Sequence, residues 1–256
     1  MGSKGLTGNN LKIIAFILMI IDNAAAVLLA AYLNSGDNNA FVIALVMARI
    51  VGRLAFPLFA FLITEGFIHT SDFKKYILRM GIFAVLSELP RDLALSGKLL
   101  EFDTQNVLFT WVIALGTLFF IKQYEDKAAV LKASPEAEDS TSEHIRDKNE
   151  MKAMFAKLGI ALGGAIVAFF LKVDYSAPGV LCVALMYIYR ADKLIMTVWG
   201  NAPLVFLSRD SLIGLLSYPF FKKYNGSRGS GINKYVFYVL YPVHLLAIYA
   251  LSVFMK

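Results

Sequence analysis

The sequence predicts an all-α fold, a polytopic bundle of membrane-crossing helices. Three observations carry that reading. The mean hydropathy is +0.61 and only 17% of the residues are charged, where a soluble domain carries about a quarter. The deficit is concentrated in apolar stretches long enough for a bilayer core, which takes about twenty helical residues to cross. Those stretches do not alternate apolar with polar residues, as the strands of a transmembrane barrel do.

Taken in order, the first span covers about 11–33, LKIIAFILMIIDNAAAVLLAAYL, interrupted only by Asp22 and Asn23. It reads as a retained anchor, because no small-residue cleavage site follows it. The second apolar stretch, about 40–69, is longer than one untilted crossing needs, and Pro57 predicts a kink in it. Spans at about 75–90 and 106–121 follow. Residues 122–153 are charged and rich in Ala, Ser and Glu, a composition that predicts a solvated, flexible loop. Further apolar stretches lie at about 154–172, 178–189, 194–207, 211–221 and 235–255. The sum is about nine spans, with eight or ten open, in a single membrane-embedded domain over 1–256.

The net charge of +6 does not point to nucleic acid. The surplus Lys and Arg flank the apolar segments, where cationic residues orient a membrane protein. With the N-terminus cytoplasmic, 18 of the 25 Lys and Arg fall in cytoplasmic segments, five outside and two, Arg49 and Arg53, within the membrane. That asymmetry places the N-terminus and the 122–153 loop in the cytoplasm, with the apolar spans among membrane lipids. The single cysteine, Cys182, sits in an apolar run and reads as a packed residue. No metal site is expected.

Six ionisable residues fall inside apolar stretches: Asp22, Arg49, Arg53, Glu65, Glu88 and His244. A charge at the bilayer centre costs about 2.5–3.5 kcal/mol even on a lenient insertion scale. Such residues therefore face a bundle interior and pair with one another. Arg49 and Arg53 are four apart, on one helical face, and that fork geometry suits an anion such as a phosphate. Glu65 lies about 18 Å further along a continuous helix, so Asp22, on another helix, is the better partner for the arginines. One reading makes these residues structural ion pairs; the other makes them the lining of a polar cavity. His244, near the middle of the last span, is either a buried neutral histidine or a general base.

These residues also carry a resemblance. ARIVGRLAFPLFAFLITEGFIHTSDFKKYILR, SELPRDLALSG, TQNVLFTWVIALG and YVLYPVHLLAIY, in this order and spacing, resemble the TraX family over nearly the whole chain. The family is implicated in N-terminal acetylation of F-type pilin in conjugation and is related to the membrane acyltransferase three superfamily. The resemblance therefore implies a membrane-embedded acetyltransferase that takes its acyl group from acetyl-CoA and passes it to an amine or hydroxyl acceptor, a protein or a small molecule. It carries over Arg49, Arg53, Pro57, Glu65 and Gly66 from the first block. From the others it carries over Glu88, Pro90, Asp92, Gln105, Asn106, Thr110, Pro242 and His244. The first span departs from the family pattern, in which Asp is often followed by His; here Asn23 follows Asp22, and an amide cannot act as a base.

On this reading His244 is the base, oriented by Asp22 or Glu65, and Arg49 and Arg53 bind the phosphates of CoA or stabilise developing negative charge. Glu88, Asp92, Gln105 and Asn106 are structural or touch the substrate. A transporter or lipid-handling protein, with the same charges as an ion or substrate pathway, is the alternative, and a non-catalytic scaffold is a second one.

Overall fold

The computed structural model describes residues 5–33, 39–132 and 143–254. Among them every regular element is a helix. The order is α1 Gly8–Leu33, α2 Asn39–Gly52, α3 Ala55–His69, α4 Phe73–Ser96, α5 Val107–Lys132, α6 Glu143–Phe170, α7 Ser176–Ile188, α8 Lys193–Val205, α9 Tyr218–Lys223 and α10 Lys234–Phe254, with a 3-10 segment over Arg209–Ser217.

Among the described residues five stretches are long and apolar enough to cross a membrane: Gly8–Ala30, Ala40–His69, Val107–Leu131, Lys148–Phe170 and Tyr235–Val253. The expected count of about nine crossings is not reached by this criterion. One shortfall is α4, whose 24 residues span about 36 Å but carry more charge than such a window allows. Its outward residues, among them Leu78, Ile82, Val85 and Leu86, are apolar, while Asp92 and Ser87 face inward and are fully buried. The other shortfalls are α7, an apolar helix of only 13 residues, and the stretch 193–223. Its α8 has 13 residues, about 20 Å, and the return is a 3-10 segment and a six-residue helix. Both ends of this hairpin meet at one ring: Lys193 Nζ lies 4.8 Å from the centre of Phe61, and Phe221 stacks on the same ring at 4.4 Å. Pro203 near the end of α8 and the Ser208 cap, which accepts from Asp210 N–H, shorten its two arms.

The stretch expected to be a loop over 122–153 is helical at both ends. α5 continues through Lys132 and α6 begins at Glu143; residues 133–142 lie outside the described residues. Charged helical ends that leave the apolar zone look like solvated loop by composition, yet i,i+4 pairs such as Lys122 with Asp126 support them.

The long second stretch breaks where Pro57 demands it. Pro57 has no N–H for the Arg53 carbonyl, so α2 ends at Gly52 and α3 starts at Ala55, with Arg53 and Leu54 between them. The break leaves Arg53 about midway along the Ala40–His69 stretch. α3 is its core: Phe56, Leu58, Ala60, Phe61, Leu62 and Ile63 are all buried.

Candidate functional site

The inward polar residues gather around the break between α2 and α3. Asp22 and Asn23 are neighbours on α1 and so point about 100° apart around its axis. Asp22 faces α2, where its Oδ1 accepts from Arg49 Nη1 at 2.8 Å and its carbonyl accepts from the same nitrogen at 3.2 Å. Gly52 makes this approach possible: a Cβ there would lie 2.5 Å from Asp22 Cβ and 2.8 Å from its Cα. Asn23 faces α10, where its Nδ2 lies 3.0 Å from His244 Nε2. The other ring nitrogen, Nδ1, lies 3.1 Å from the Leu240 carbonyl. A carbonyl can only accept, so Nδ1 carries the proton and Nε2 is the acceptor for the Asn23 amide. Phe16 and Tyr241 hold the imidazole at centroid distances of 5.4 and 5.5 Å.

Arg53 turns to a third element, the turn between α6 and α7. Its guanidinium hydrogen bonds the Tyr175 hydroxyl, with Asp22 and Asp174 close by. Tyr175 sits at φ +58, a left-handed conformation that costs a bulky residue strain. Three contacts hold it there. Its ring stacks on Phe56 at 3.8 Å, its N–H donates to Asp174 Oδ1 at 2.9 Å, and Gly179 leaves room where a Cβ would meet Tyr175 Cβ at 2.7 Å. Solvent reaches the Asp174 side chain although protein surrounds it, the arrangement of a crevice. That enclosure pushes its carboxyl above the usual carboxylate range, against the pull of Arg91 and Arg53.

The residues of the second and third sequence blocks build the frame. Gln105 pairs with the turn, accepting from Asp174 N–H at 2.8 Å and donating to Lys172 O at 2.9 Å, and Thr110 donates to the Asp174 carbonyl. Asn106 donates to the Ala84 carbonyl at 2.7 Å and to Glu88 Oε2 from its backbone N–H at 3.2 Å and its amide. Glu88 Oε1 is buried without a hydrogen-bond partner among the described residues. Asp92 accepts from Arg91 Nη1 at 3.1 Å and from Glu101 N–H at 2.8 Å, closing the α4–α5 loop.

Over residues 7–252 the chain matches the family described as TraX protein. It belongs to the TraX family. A protein of Dichelobacter nodosus named as a probable fimbrial assembly protein, FimC of serogroup H1, is 28% identical over 260 residues, covering 96% of each chain. No solved structure matches.

Of the TraX residues singled out from sequence, Asp22 and Arg49 pair with Arg53 close by, while His244 meets Asn23, the next residue on α1; Gln105 holds the Asp174 turn, Asn106 holds Glu88, and Asp92 closes the α4–α5 loop. Glu65 does not join them. It lies at the opposite end of α3, where it hydrogen bonds the Tyr224 hydroxyl, and burial beside it pushes that phenol up to about 12. Its backbone carbonyl lies 3.0 Å from His69 Nδ1. Glu65 therefore belongs to a closing contact between α3 and the segment before α10. Arg49 is engaged by Asp22, so it is not a free cation waiting for a phosphate. Sequence reading missed Asp174, Tyr175, Arg91 and Tyr241. Asp174 and Tyr175 lie between the apolar stretches at about 154–172 and 178–189, where the one signal is a charged residue beside an aromatic one. Among the described residues no cluster of His, Cys, Asp and Glu could hold a metal ion.

Proposed function

We propose that this TraX protein is a multi-pass acetyltransferase of the bacterial inner membrane, N-terminus in the cytoplasm, that moves an acetyl group from acetyl-CoA to an amine or hydroxyl. The observation that carries the reading is the state of His244: a neutral imidazole inside the bundle, its Nδ1–H committed to Leu240 O and its Nε2 lone pair facing inward. Asn23 N–H occupies the position that the N–H or O–H of an acceptor would take. The acceptor donates its proton to Nε2, its nitrogen or oxygen bonds the acetyl carbon, the C–S bond of the thioester breaks, and the sulfur leaves as thiolate. Negative charge develops on the carbonyl oxygen. On this reading Arg53, held by Tyr175 and not by a carboxylate hydrogen bond among the described contacts, is the cation that meets it. The Asp22–Arg49 pair positions α1 against α2 and so sets where Asn23 stands. The phosphate-binding role expected for the two arginines fits less well, because Asp22 already neutralises Arg49.

The relative from Dichelobacter nodosus, whose name speaks of fimbrial assembly, supports a pilin-like acceptor for this chain. The test is purified protein in proteoliposomes with labelled acetyl-CoA, together with intact-mass comparison of wild-type and deletion cells. Thioester turnover that disappears in His244→Ala, and an acetyl group lost from one cellular acceptor in the deletion, are the expected results. Solute uptake without thioester turnover would favour a transporter instead.

A further inference from the structure

At the end where α1 and α10 begin, two cations stand together. The charge acting on Lys12 is another cation, Arg228. Neither has a carboxylate partner among the described ion pairs. Their closeness is built in: the loop before α10 is tied to the start of α1 by Asn9 N–H to Arg228 O at 2.9 Å, Gly8 N–H to Ser227 O at 2.8 Å and the Asn9 amide to Gly229 O at 3.3 Å. Gly229, at φ +81, is what lets the loop close on Thr7, whose Oγ1 would lie 2.6 Å from a Cβ there. Like charges held together repel, so this arrangement is favourable with an anion between or above them.

Beside the pair lies an apolar groove between α1 and α10, about 490 Å³, whose walls include Ile13, Phe16, Ile17, Val236, Phe237 and Leu240. Phe237 joins the two features, since it lines the groove and carries Lys12 Nζ 5.8 Å from its ring centre. The groove is lined by aliphatic and aromatic side chains of two neighbouring helices. It suits a single alkyl chain. Ile13 and Ile17 are about half exposed, so the groove is open along its length to the surrounding hydrocarbon.

We infer that this face is a binding site for an anionic phospholipid, with the phosphate on Lys12 and Arg228 and one acyl chain in the groove between α1 and α10. The inference does not rest on the transferase reading. It has a bearing on it, because the chain would end against Phe16 and Leu240, the residues that hold the His244 ring.

The experiment adds phosphatidylglycerol, phosphatidylethanolamine or inorganic phosphate to delipidated full-length protein and counts bound lipid by native mass spectrometry alongside thermal stabilisation. Phosphatidylglycerol should bind one per chain, ahead of the zwitterionic lipid. At the usual worth of an interfacial cation, the K12Q/R228Q double variant should lose about thirtyfold in affinity, and K12R/R228K should retain it. Ile17→Trp, which fills the groove and leaves the cations alone, should also lose the lipid, and it keeps the test open if the charge variant does not fold. Equal binding of both lipids, unchanged binding by K12Q/R228Q, or full stabilisation by inorganic phosphate alone would each overturn the site.

Discussion

The Asn23 amide donates to His244 Nε2 at 3.0 Å while Nδ1–H donates to the Leu240 carbonyl at 3.1 Å, so one ring nitrogen is fixed as donor and the other as acceptor. In a bilayer, where water cannot stand in for a lost partner, this assignment has measurable consequences. His244→Ala should reduce acetyl transfer by about 10²–10⁴-fold. Asn23→Ala should reduce it by about tenfold or less, the worth of one hydrogen bond. Nitrogen NMR of labelled histidine should find Nδ1 protonated in the resting protein; an Nε2–H signal for His244 would refute the assignment.

Arg49 and Asp22 should behave as a pair. Arg49→Ala leaves a carboxylate unpaired within the bundle and should cost about 3–5 kcal/mol, read as a loss of folded protein in detergent. Joining it to Asp22→Leu should restore much of the stability. The double variant then separates roles, because restored folding with a loss of transfer beyond the tenfold of Asn23→Ala points to a part for the pair at the reacting centre and not to helix pairing alone.

Two glycines make a matched comparison. At Gly52 a methyl group would meet the Asp22 backbone within 3.0 Å, whereas at Gly81 nothing lies within 4 Å. Gly52→Ala should force α1 and α2 apart and abolish folded yield. Gly81→Ala, in the middle of α4, should be neutral or stabilise by about 0.5–1 kcal/mol. Thermal unfolding of the two variants side by side checks this.

Asp174 gives a pH dependence. Its carboxyl is held above its ordinary value of 3.8, burial being the main cause. A raised folded-state value means that the protonated form stabilises the fold, and this contribution is lost as pH rises through that value. Asp174→Asn should therefore unfold at a higher temperature than wild type at neutral pH, with the gap closing as pH falls toward 3.8. A gap that widens in acid would reverse the sign.

Glu65 offers the contrasting case. It is bound to Tyr224 at the far end of α3, so Glu65→Gln should lower stability while leaving transfer per folded molecule within about threefold, the scale of a weak indirect effect. A loss matching that of His244→Ala would return Glu65 to the reacting centre.

Much of this was legible in the residues alone. Apolar runs with few charges announce helices, and the expense of Asp22, Arg49, Arg53 and His244 in hydrocarbon announces a shared interior. The Asp22 partnership with the arginines came from the distance between Arg53 and Glu65. Other features were not legible, for physical reasons. Asp174 and Tyr175 matter because a turn is pinned by Gln105 and Thr110, contacts between positions more than 60 residues apart. Arg91 looks like an ordinary loop cation until Thr104 and Asp92 are seen around it. Residues 122–132 look solvated because most of them are; they are helical all the same.

The hairpin between Lys193 and Lys223 enters and leaves beside the same phenylalanine, Phe61. It is therefore silent in the topology of the chain. Shortening it, lengthening it or replacing it with a linker changes no helix's direction, and α10 still delivers His244 to α1 from the same side. Relatives that differ in this segment can thus keep the same chemistry, and a grafted hairpin is a place to alter what enters the bundle without inverting α10.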